Sequence, residues 1–389
     1  MLIASTLTFV VSYMVWMMFS VIGVPIKKSL NLSATQFSLL TFIPLLTGSI
    51  MRAPLGILSD RFGGRITILV TLLLAIAPVW LVSQASLYWE FLLLGLFIGL
   101  GGATYGAGIP YIAHWFPRNR QGFAMGIYGA GSVGGALGNL VAPVLIAIAD
   151  WTMVPKIYAC LLVATVFLFW LFGYSNSHPF VAKKIPFMQQ LKVLTNFKVL
   201  QLCLYYAISF GAFGALSFWM VWYYVVEFNL TLKNAAFLTA CFTFPASIFG
   251  VLGGWLADRY GGRTTTFWVL LVSSICLLFL SCPSTYITVG TNKFSIGLNV
   301  YIFTIIMFIE GVAWSIGKAS IYKWISEDHA NQIGAVSGVV GAMGGIGGSV
   351  WLILFGILLD LTGIRSTAFM LLWLVVCSAL ALMRFANNK

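Results

Sequence analysis

The chain has 389 residues, of which 60% are hydrophobic and only 8% are charged, and its formal net charge is +12. A soluble domain carries roughly 25% charged residues, so this composition excludes a water-soluble fold and predicts a protein that crosses a membrane many times. The basic residues occur singly between apolar segments. This distribution is typical of loops in membrane proteins and argues against a nucleic-acid-binding surface.

Twelve apolar segments are long enough to cross a bilayer, because a spanning helix needs about 20 such residues. The first segment is too long for a removable signal peptide, and we interpret it as a retained helix. Ser33 and Gln36 form a candidate capping box at the start of the second segment. The segments are 5–25, 35–58, 66–84, 89–114, 121–148, 155–174, 198–226, 232–257, 264–283, 298–322, 332–358 and 366–385.

The longest polar interruption lies near the midpoint of the chain and predicts a linker. We therefore expect an N-terminal six-helix bundle over 1–174, a cytoplasmic linker over 175–197 and a C-terminal six-helix bundle over 198–389. Thirteen basic residues lie in loops on the side of both termini, and six lie in loops on the opposite side. This bias predicts that both termini are cytoplasmic.

A charged, glycine-rich turn follows the second segment and recurs after the eighth. A repeat at about half the chain length indicates two homologous halves. We expect these residues to act in gating or in the structure of the turns. The first copy contains Asp60, Arg61, Gly63, Gly64 and Arg65, and 198 positions later the second contains Asp258, Arg259, Gly261, Gly262 and Arg263.

Arg52 lies inside the second apolar segment, ahead of the charged turn. A charge inside the membrane is costly and usually faces a cavity or a partner. The guanidinium suits a planar oxyanion because its donors form a fork. Arg52 is therefore a candidate anion-binding residue. The alternative is an arginine that pairs with a helix end or extends to the membrane interface.

Lys318 and Glu310 share the tenth segment. Eight residues of helix rise about 12 Å, so the two side chains do not pair directly. Lys318 is a candidate second cation for the substrate, or else a lysine that extends toward the cytoplasmic face. Glu310 is a candidate proton carrier, since acidic residues inside membranes often relay protons. Its alternative role is that of a structural hydrogen-bonding group.

Glycine-rich stretches at 126–138 and 338–348 lie in the fifth and eleventh segments. The first contains a GxGxxG pattern, but a dinucleotide site needs this motif after a strand, so we reject nucleotide binding. Small residues at helical spacing let helices approach closely. We expect the fifth and eleventh segments to cross tightly at the seam between the halves, either as static packing or as a moving seam. The residues concerned are Gly129, Gly134, Gly341 and Gly345.

Aromatic residues are dense in the seventh segment, where most are expected to lie in the core or at the membrane interface. We select Phe213, together with Tyr105 of the fourth segment, as candidate cavity-lining residues. The sequence contains no paired carboxylates, no nucleophile–base pair and no CxxC pair, so it predicts neither an enzyme nor a metal site or cofactor. The seventh-segment aromatics are Phe210, Phe213, Phe218, Trp219, Trp222, Tyr223 and Tyr224.

The twelve segments, the two repeats, the central loop and the doubled turn together resemble the major facilitator superfamily. The resemblance implies turns on the cytoplasmic side that gate alternating access. Within that superfamily, 101–135 and 332–348 resemble the nitrate/nitrite porter family. The shared features are a glycine-rich fourth segment, an aromatic-proline-basic turn, a Gln-Gly pair and glycine-rich fifth and eleventh segments. The turn is Trp115-Phe116-Pro117-Arg118, followed by Gln121-Gly122.

The porter family holds nitrate between two arginines, one on the second helix and one on the eighth. The first corresponds to Arg52, whereas the second position falls on Gly250, both by motif and by the 198-residue repeat. Val133 also stands where the family tends to carry asparagine. The resemblance therefore implies one substrate arginine, with Lys318 as the candidate replacement for the lost charge.

These observations predict an all-α membrane protein with twelve transmembrane helices in two pseudo-symmetric bundles. We expect a secondary transporter for a small anion such as nitrate or nitrite, with protons or a counter-anion as candidate co-substrates. The alternatives are a proton-coupled transporter of an organic anion or other polar metabolite, and a non-transporting sensor on a transporter scaffold. We expect a monomer in a bacterial plasma membrane.

Overall fold

The computed structural model describes residues 1–113, 115–116, 118–174, 196–282, 285–289, 292–329 and 333–385. The predicted linker falls outside these residues except for its last two positions. Within the described ranges, eleven helical spans are long and apolar enough to cross a membrane, and one bent helix pair completes the predicted twelve. The spans follow the predicted segments to within several residues at each end.

The spans are numbered 1 to 12 in chain order, and six of them consist of more than one helical segment. Their helices are Leu2–Trp16 and Phe19–Ser29 in span 1, Ala34–Ile50 and Arg52–Phe62 in span 2, Gly64–Leu81 with the 3-10 turn Val82–Gln84 in span 3, Tyr88–Ala113 in span 4, Arg118–Gly129, the 3-10 turn Ala130–Val133 and Gly134–Ile148 in span 5, Met153–Phe172 in span 6, Phe197–Tyr206, the π-helical turn Ala207–Ala212 and Phe213–Glu227 in span 7, Leu232–Ile248 and Gly250–Tyr260 in span 8, Gly262–Leu280 in span 9, Val300–Asp328 in span 10, Ile333–Thr362 in span 11 and Thr367–Phe385 in span 12.

A short antiparallel hairpin, Thr285–Val289 paired with Asn292–Ile296, connects spans 9 and 10. Thr285 lies opposite Ile296, and Val289 lies opposite Asn292. The sequence pattern did not indicate these strands. They lie in a loop, so the spans themselves remain entirely helical.

The internal repeat is visible in the backbone conformation. Gly63 and Gly261 have φ angles of 91° and 85°, a region that favours glycine because a β-carbon is strained there. Asn31 and Asn229 have φ angles of 50° and 51°. Both pairs are 198 residues apart, as the sequence repeat requires. The predicted capping box is also confirmed, since Ser33 accepts from the Gln36 N–H and the Gln36 side chain accepts from the Ser33 N–H.

Spans 2 and 8 are each interrupted at equivalent positions, Met51 and Phe249. In span 8, the helices on either side of the break are bent by 44°. In span 2, the break places Arg52 at the first position of the second helix. Broken helices inside a membrane occur where the chain lines a cavity or is buried by protein.

The two sides of the molecule can be named by its turns. The terminal side carries Met1 and the turns at Gly63 and Gly261, and the distal side carries the turns at Asn31 and Asn229. The first six spans meet the last six mainly through their distal parts: Phe19–Ser29 packs on Phe213–Glu227, Ala34–Ile50 on Ile333–Thr362, and Gly134–Ile148 on Leu232–Ile248. Among the described residues, the terminal-side helices Arg118–Gly129, Phe197–Tyr206 and Gly250–Tyr260 pack extensively only within their own halves.

One face of span 11 shows where the seam between the halves closes. A β-carbon built at Gly356 or at Gly345 would collide with a serine of span 2, Ser38 or Ser49 respectively. A β-carbon at Gly338, two helical turns before Gly345 on the same face, would have no atom of the described residues within 4 Å. The seam is therefore tightly packed on the distal side and open on the terminal side.

Candidate functional site

Arg52 lies where the two halves meet. Its guanidinium carbon is 5.5 Å from the ring centroid of Trp16 in span 1 and 5.5 Å from that of Tyr105 in span 4. The third ring, that of Phe210, comes from span 7 of the opposite half at 4.9 Å. Aromatic faces attract a cation without hydrogen-bonding to it. The three rings therefore hold the guanidinium in place while leaving its N–H groups available.

The guanidinium has no protein acceptor among the described residues. Its Nε is buried without a hydrogen-bond partner. The side chain as a whole is partly exposed, and the hydroxyls of five tyrosines lie within its electrostatic range. A buried donor without an acceptor is costly, so Arg52 remains a candidate ligand-binding residue. The tyrosines are Tyr13, Tyr105, Tyr128, Tyr206 and Tyr322.

Lys318 also lies inside the protein, on span 10. Its Nζ donates to the Ala246 carbonyl of span 8 at 2.6 Å and lies 4.3 Å from the ring centroid of Phe213. One of its three donors is thus occupied by backbone close to the break in span 8. The lysine as a whole is partly exposed, and its ammonium has no carboxylate partner among the described residues.

Span 7 brings the two cations into one region. Arg52 contacts Phe210 and Lys318 contacts Phe213, and these rings are three residues apart, or about 4.5 Å along a helix. Phe210 lies in the π-helical turn Ala207–Ala212, which interrupts regular helix geometry in the middle of the span. Such turns are frequent at functional sites. An arginine from one half and a lysine from the other therefore face the same short stretch of span 7.

Gly250, which stands where a second arginine was expected from the resemblance, packs beside Ser315 of span 10. A β-carbon at Gly250 would lie 3.6 Å from the Ser315 Oγ, which is an ordinary contact distance. Ser315 precedes Lys318 by three residues, so both lie on the face of span 10 that packs along span 8. Lys318 therefore lies on span 10, the span that packs beside Gly250.

Glu310 lies behind this region, between spans 9 and 10, and is fully buried. The Ser273 hydroxyl donates to its carboxylate, and the Trp314 indole N–H donates to Ser273 at 3.0 Å. The ring of Phe242 separates this cluster from Phe213, with centroid distances of 6.1 Å to Trp314 and 5.5 Å to Phe213. Glu310 therefore belongs to a second polar cluster within the C-terminal half, one side-chain layer away from the cations.

The repeated turns connect elements within each half. Arg65 donates to the Trp170 carbonyl of span 6 at 2.5 Å, and Arg263 donates to the Met383 carbonyl of span 12 at 3.2 Å. Each arginine therefore ties its turn to the last span of its own half.

Other residues of the second turn contact span 10, and one arginine of each turn faces solvent. Asp258 forms an ion pair with Lys323 at 2.8 Å, and the Gly262 N–H donates to Glu327. Arg61 and Arg259 are exposed beside aromatic rings. The side chain of Asp60 lies outside the described residues.

The four candidate glycines take different positions. Gly129 and Gly341 lie beside tyrosine hydroxyls, since β-carbons there would be 3.9 Å from Tyr105 and 2.9 Å from Tyr322. Gly134 packs against the backbone of span 1 within its own half, whereas Gly345 packs against span 2 of the other half. Spans 5 and 11 thus lie at two separate seams, with spans 8 and 2 respectively, rather than packing mainly on each other.

Trp16 was not among the residues predicted for the site, although its ring contacts the Arg52 guanidinium. Phe210 was identified only as one of several aromatics in its span. The chain contains 14 Trp and 31 Phe, so residue type alone does not distinguish these two. An interrupted helix around Phe210 is the structural signal, and it is not evident in the sequence.

Comparison with known proteins gives a family and several relatives. The family model described as Major Facilitator Superfamily matches residues 5–352. The Thermus thermophilus protein "Probable nitrate/nitrite antiporter NarK1" is 37% identical over 388 residues, which cover 95% of this chain and 87% of that protein. The "Nitrite extrusion protein" of Bacillus subtilis (strain 168) is 30% identical, covering 94% of this chain and 89% of that protein. The Staphylococcus haemolyticus protein "Probable nitrate transporter NarT" is 29% identical, covering 94% and 91%.

Among solved structures, a bacterial homologue of the human lysosomal transporter Spinster, in an inward-facing and occupied conformation, matches with a TM-score of 0.76. The match covers 100% of this chain and 96% of that chain at 16% identity. At this identity the likeness supports the fold alone.

Proposed function

Because the chain belongs to the Major Facilitator Superfamily and is a multi-pass membrane transporter rather than an enzyme, we propose that its substrate is nitrate or nitrite, bound at Arg52 and moved by alternating access. The relatives in Thermus thermophilus and Bacillus subtilis carry nitrate or nitrite in their names, and the match extends over nearly the whole chain. This similarity favours a small inorganic anion over a larger organic one.

The observation that carries the proposal is the guanidinium of Arg52, which is held by aromatic rings from both halves and has no protein acceptor among the described residues. A planar anion accepts two parallel N–H bonds from the guanidinium fork. Contacts with the faces of aromatic rings use none of the guanidinium N–H groups, which remain for such an anion. Phe213 and Tyr105 line the same region, and Lys318 supplies the second positive charge.

The conformation of the transporter follows from which side of the seam is open and which side faces the cytoplasm. In this proposal the terminal side, with both chain ends, faces the cytoplasm of a bacterial cell, and the bias of basic residues supports that orientation. The seam is packed on the distal side, so the described conformation is inward-facing. In this proposal the bundles 1–174 and 198–389 rock about the substrate as a monomer, and the repeated turns change partners when the terminal side closes.

We assign proton coupling to Glu310, and this assignment predicts a specific loss. The Glu310→Gln variant keeps an oxygen that accepts from Ser273 but carries no titratable proton. Accumulation of nitrate driven by a pH gradient should fall to the level of protein-free liposomes, while exchange of internal for external anion should remain within about twofold of the parent protein. Uptake into proteoliposomes with and without a pH gradient measures both quantities.

The outcome of that comparison separates the two candidate co-substrates. One outcome is that the parent protein exchanges nitrate for nitrite while a pH gradient leaves its nitrate accumulation unchanged. In that case the counter-anion is the co-substrate, and Glu310 is a structural hydrogen-bond acceptor. Loss of both activities in Glu310→Gln, with a lower melting temperature, would likewise remove its role in coupling. Ser273→Ala is the matched variant because it removes the hydroxyl donor and leaves the carboxyl.

The substrate is tested by uptake of isotopically labelled nitrate into proteoliposomes that contain the purified full-length protein. We expect saturable uptake that nitrite inhibits competitively. If the protein shows no saturable flux of nitrate or nitrite but transports a small carboxylate, the substrate is an organic anion. No flux of any anion would contradict the anion assignment.

A further inference from the structure

Asp360, near the end of span 11, binds the beginning of span 2 in the opposite half. Its Oδ1 accepts from the Ala34 N–H at 3.0 Å and its Oδ2 accepts from the Thr35 N–H at 2.7 Å. Both carboxylate oxygens are thus used, and they bind two successive backbone donors on the distal side. The contact joins the C-terminal half to the N-terminal half at the closed end of the seam.

The start of span 2 depends on this contact for its capping. The first N–H groups of any helix have no partner within the helix. Here the Gln36 N–H donates to Ser33, while the Ala34 and Thr35 N–H groups donate to Asp360. A carboxylate also interacts favourably with the partial positive charge of a helix N-terminus. Two of these three N–H groups are therefore capped by a residue of the C-terminal half.

Aromatic side chains close the distal end of the seam near Asp360. Phe37 of span 2 lies 5.8 Å from Trp219 and 6.0 Å from Trp222 of span 7, measured between ring centroids. The Lys27 ammonium lies 5.6 Å from the Trp222 ring and within electrostatic range of Asp360. Aromatic packing fills this end of the seam, and Asp360 provides its directional polar contact.

The other seam has no equivalent contact among the described residues. Thr231, which begins the corresponding helix of span 8, caps it from within by accepting from the Asn234 N–H. Asp150, beyond the end of span 5, is exposed, and no hydrogen bond or ion pair of its side chain is present in the described part of the chain. Among the described residues, a residue of one half therefore caps a helix of the other half at the seam of spans 2 and 11, but not at the seam of spans 5 and 8.

We propose that Asp360 is a positioning residue for the transport cycle: its carboxylate holds the distal side closed, and its two bonds to Ala34 and Thr35 must break before the substrate site can open on that side. Opening separates span 2 from span 11 and leaves both N–H groups to water. The strength of this contact therefore sets the balance between the two open states. The proposal concerns the gate and does not depend on which anion is carried.

The test uses two cysteine reporters, one on the distal side of the seam and one on the terminal side. Ser38→Cys reports the distal seam, because Ser38 is fully buried beside Gly356. Gly338→Cys reports the terminal side, because a β-carbon there has no neighbour within 4 Å. Each reporter is placed in the full-length protein, and alkylation at that position is quantified by peptide mass spectrometry, which separates it from the six native cysteines. No substrate is present.

Asp360→Asn and Asp360→Ala should raise the alkylation rate at position 38 by about tenfold, the effect of losing a typical helix cap. Alkylation at position 338 should fall in the same variants, because the population that opens on the distal side closes on the terminal side. Asp150→Asn makes the same change of charge on the distal side and should alter neither rate.

Unchanged rates at both positions in both Asp360 variants would overturn the proposal. A rise at both positions, with a lower melting temperature, would also overturn it, because general loosening exposes both faces instead of exchanging them. Asn is the milder variant and retains one acceptor oxygen, so the test remains available if the alanine variant does not fold.

Discussion

Replacing Arg52 with alanine should lower the rate of nitrate uptake at sub-saturating concentration by at least about 30-fold. Losing one partner of a buried, hydrogen-bonded charge pair costs roughly 2–5 kcal/mol, and the lower limit corresponds to this factor. In Arg52→Ala, the three rings that contact the guanidinium would surround a space without charge. Initial rates of labelled nitrate uptake into proteoliposomes measure the effect.

Arg52→Lys distinguishes charge from geometry. Lysine keeps the positive charge but has no planar fork, so it cannot form two parallel bonds to one anion. We expect uptake between that of Arg52→Ala and that of the parent protein. Arg384→Ala is the matched control, because Arg384 is exposed at the end of span 12, and its uptake should match the parent's.

Ligand-induced stabilisation gives a second measurement that does not need transport. A ligand that binds only the folded state raises its melting temperature, and the rise grows with the ratio of ligand concentration to Kd. Nitrate should stabilise the parent protein and leave Arg52→Ala unchanged. Uptake and stabilisation that both survive the alanine substitution would remove Arg52 from the site and, with it, the anion-binding hypothesis.

The Lys318→Met substitution should weaken nitrate binding by about tenfold while leaving the fold intact. Methionine approximates the length of the lysine stem and fits an apolar contact with Phe213. It removes the ammonium that the anion would meet, and it leaves the Ala246 carbonyl without its donor. The second effect lowers stability, so the melting temperature is measured beside the Kd for nitrate.

The double variant with Arg52→Ala tests whether both cations act on one anion. Residues that contact the same ligand show coupling energies of roughly 0.5–3 kcal/mol in a double-mutant cycle, whereas independent sites add. We therefore expect the second substitution to have a smaller effect in the double variant than alone. Strict additivity would indicate that Lys318 acts through span 8 rather than on the substrate.

Gly250 offers a compensating substitution. Its β-carbon position has ordinary clearance, with Ser315 the neighbour at 3.6 Å. An arginine introduced there in the Lys318→Met background restores a second positive charge at the position given by the internal repeat. We expect it to recover part of the lost affinity, and no recovery in a folded variant would show that position 250 does not face the anion.

The two cations also suggest how binding is linked to movement. Arg52 belongs to the N-terminal half, while Phe210, Phe213 and Lys318 belong to the C-terminal half. An anion held by Arg52 and Lys318 adds a bond between halves that meet mainly on the distal side in this conformation. A ligand that binds one arrangement of the halves more tightly shifts the population toward it.

The sequence by itself determined the membrane class, the twelve spans, the twofold repeat and the two intramembrane cations. These features depend on local composition and on residue order: an apolar run of sufficient length must be a helix in lipid, and a charge within it stands out. The backbone of the repeated turns followed for the same reason, because Gly63 and Gly261 occupy positions that favour glycine.

Only the tertiary structure decided which aromatic residues surround Arg52, that Lys318 donates to the Ala246 carbonyl, that Glu310 lies in a separate cluster, and that Asp360 caps the helix that begins at Ala34. Asp360 and Ala34 are 326 residues apart in the chain, and nothing in either neighbourhood specifies the other. Contacts of this kind depend on how the packed spans are rotated and offset, and that is a property of all the side chains at the seam together.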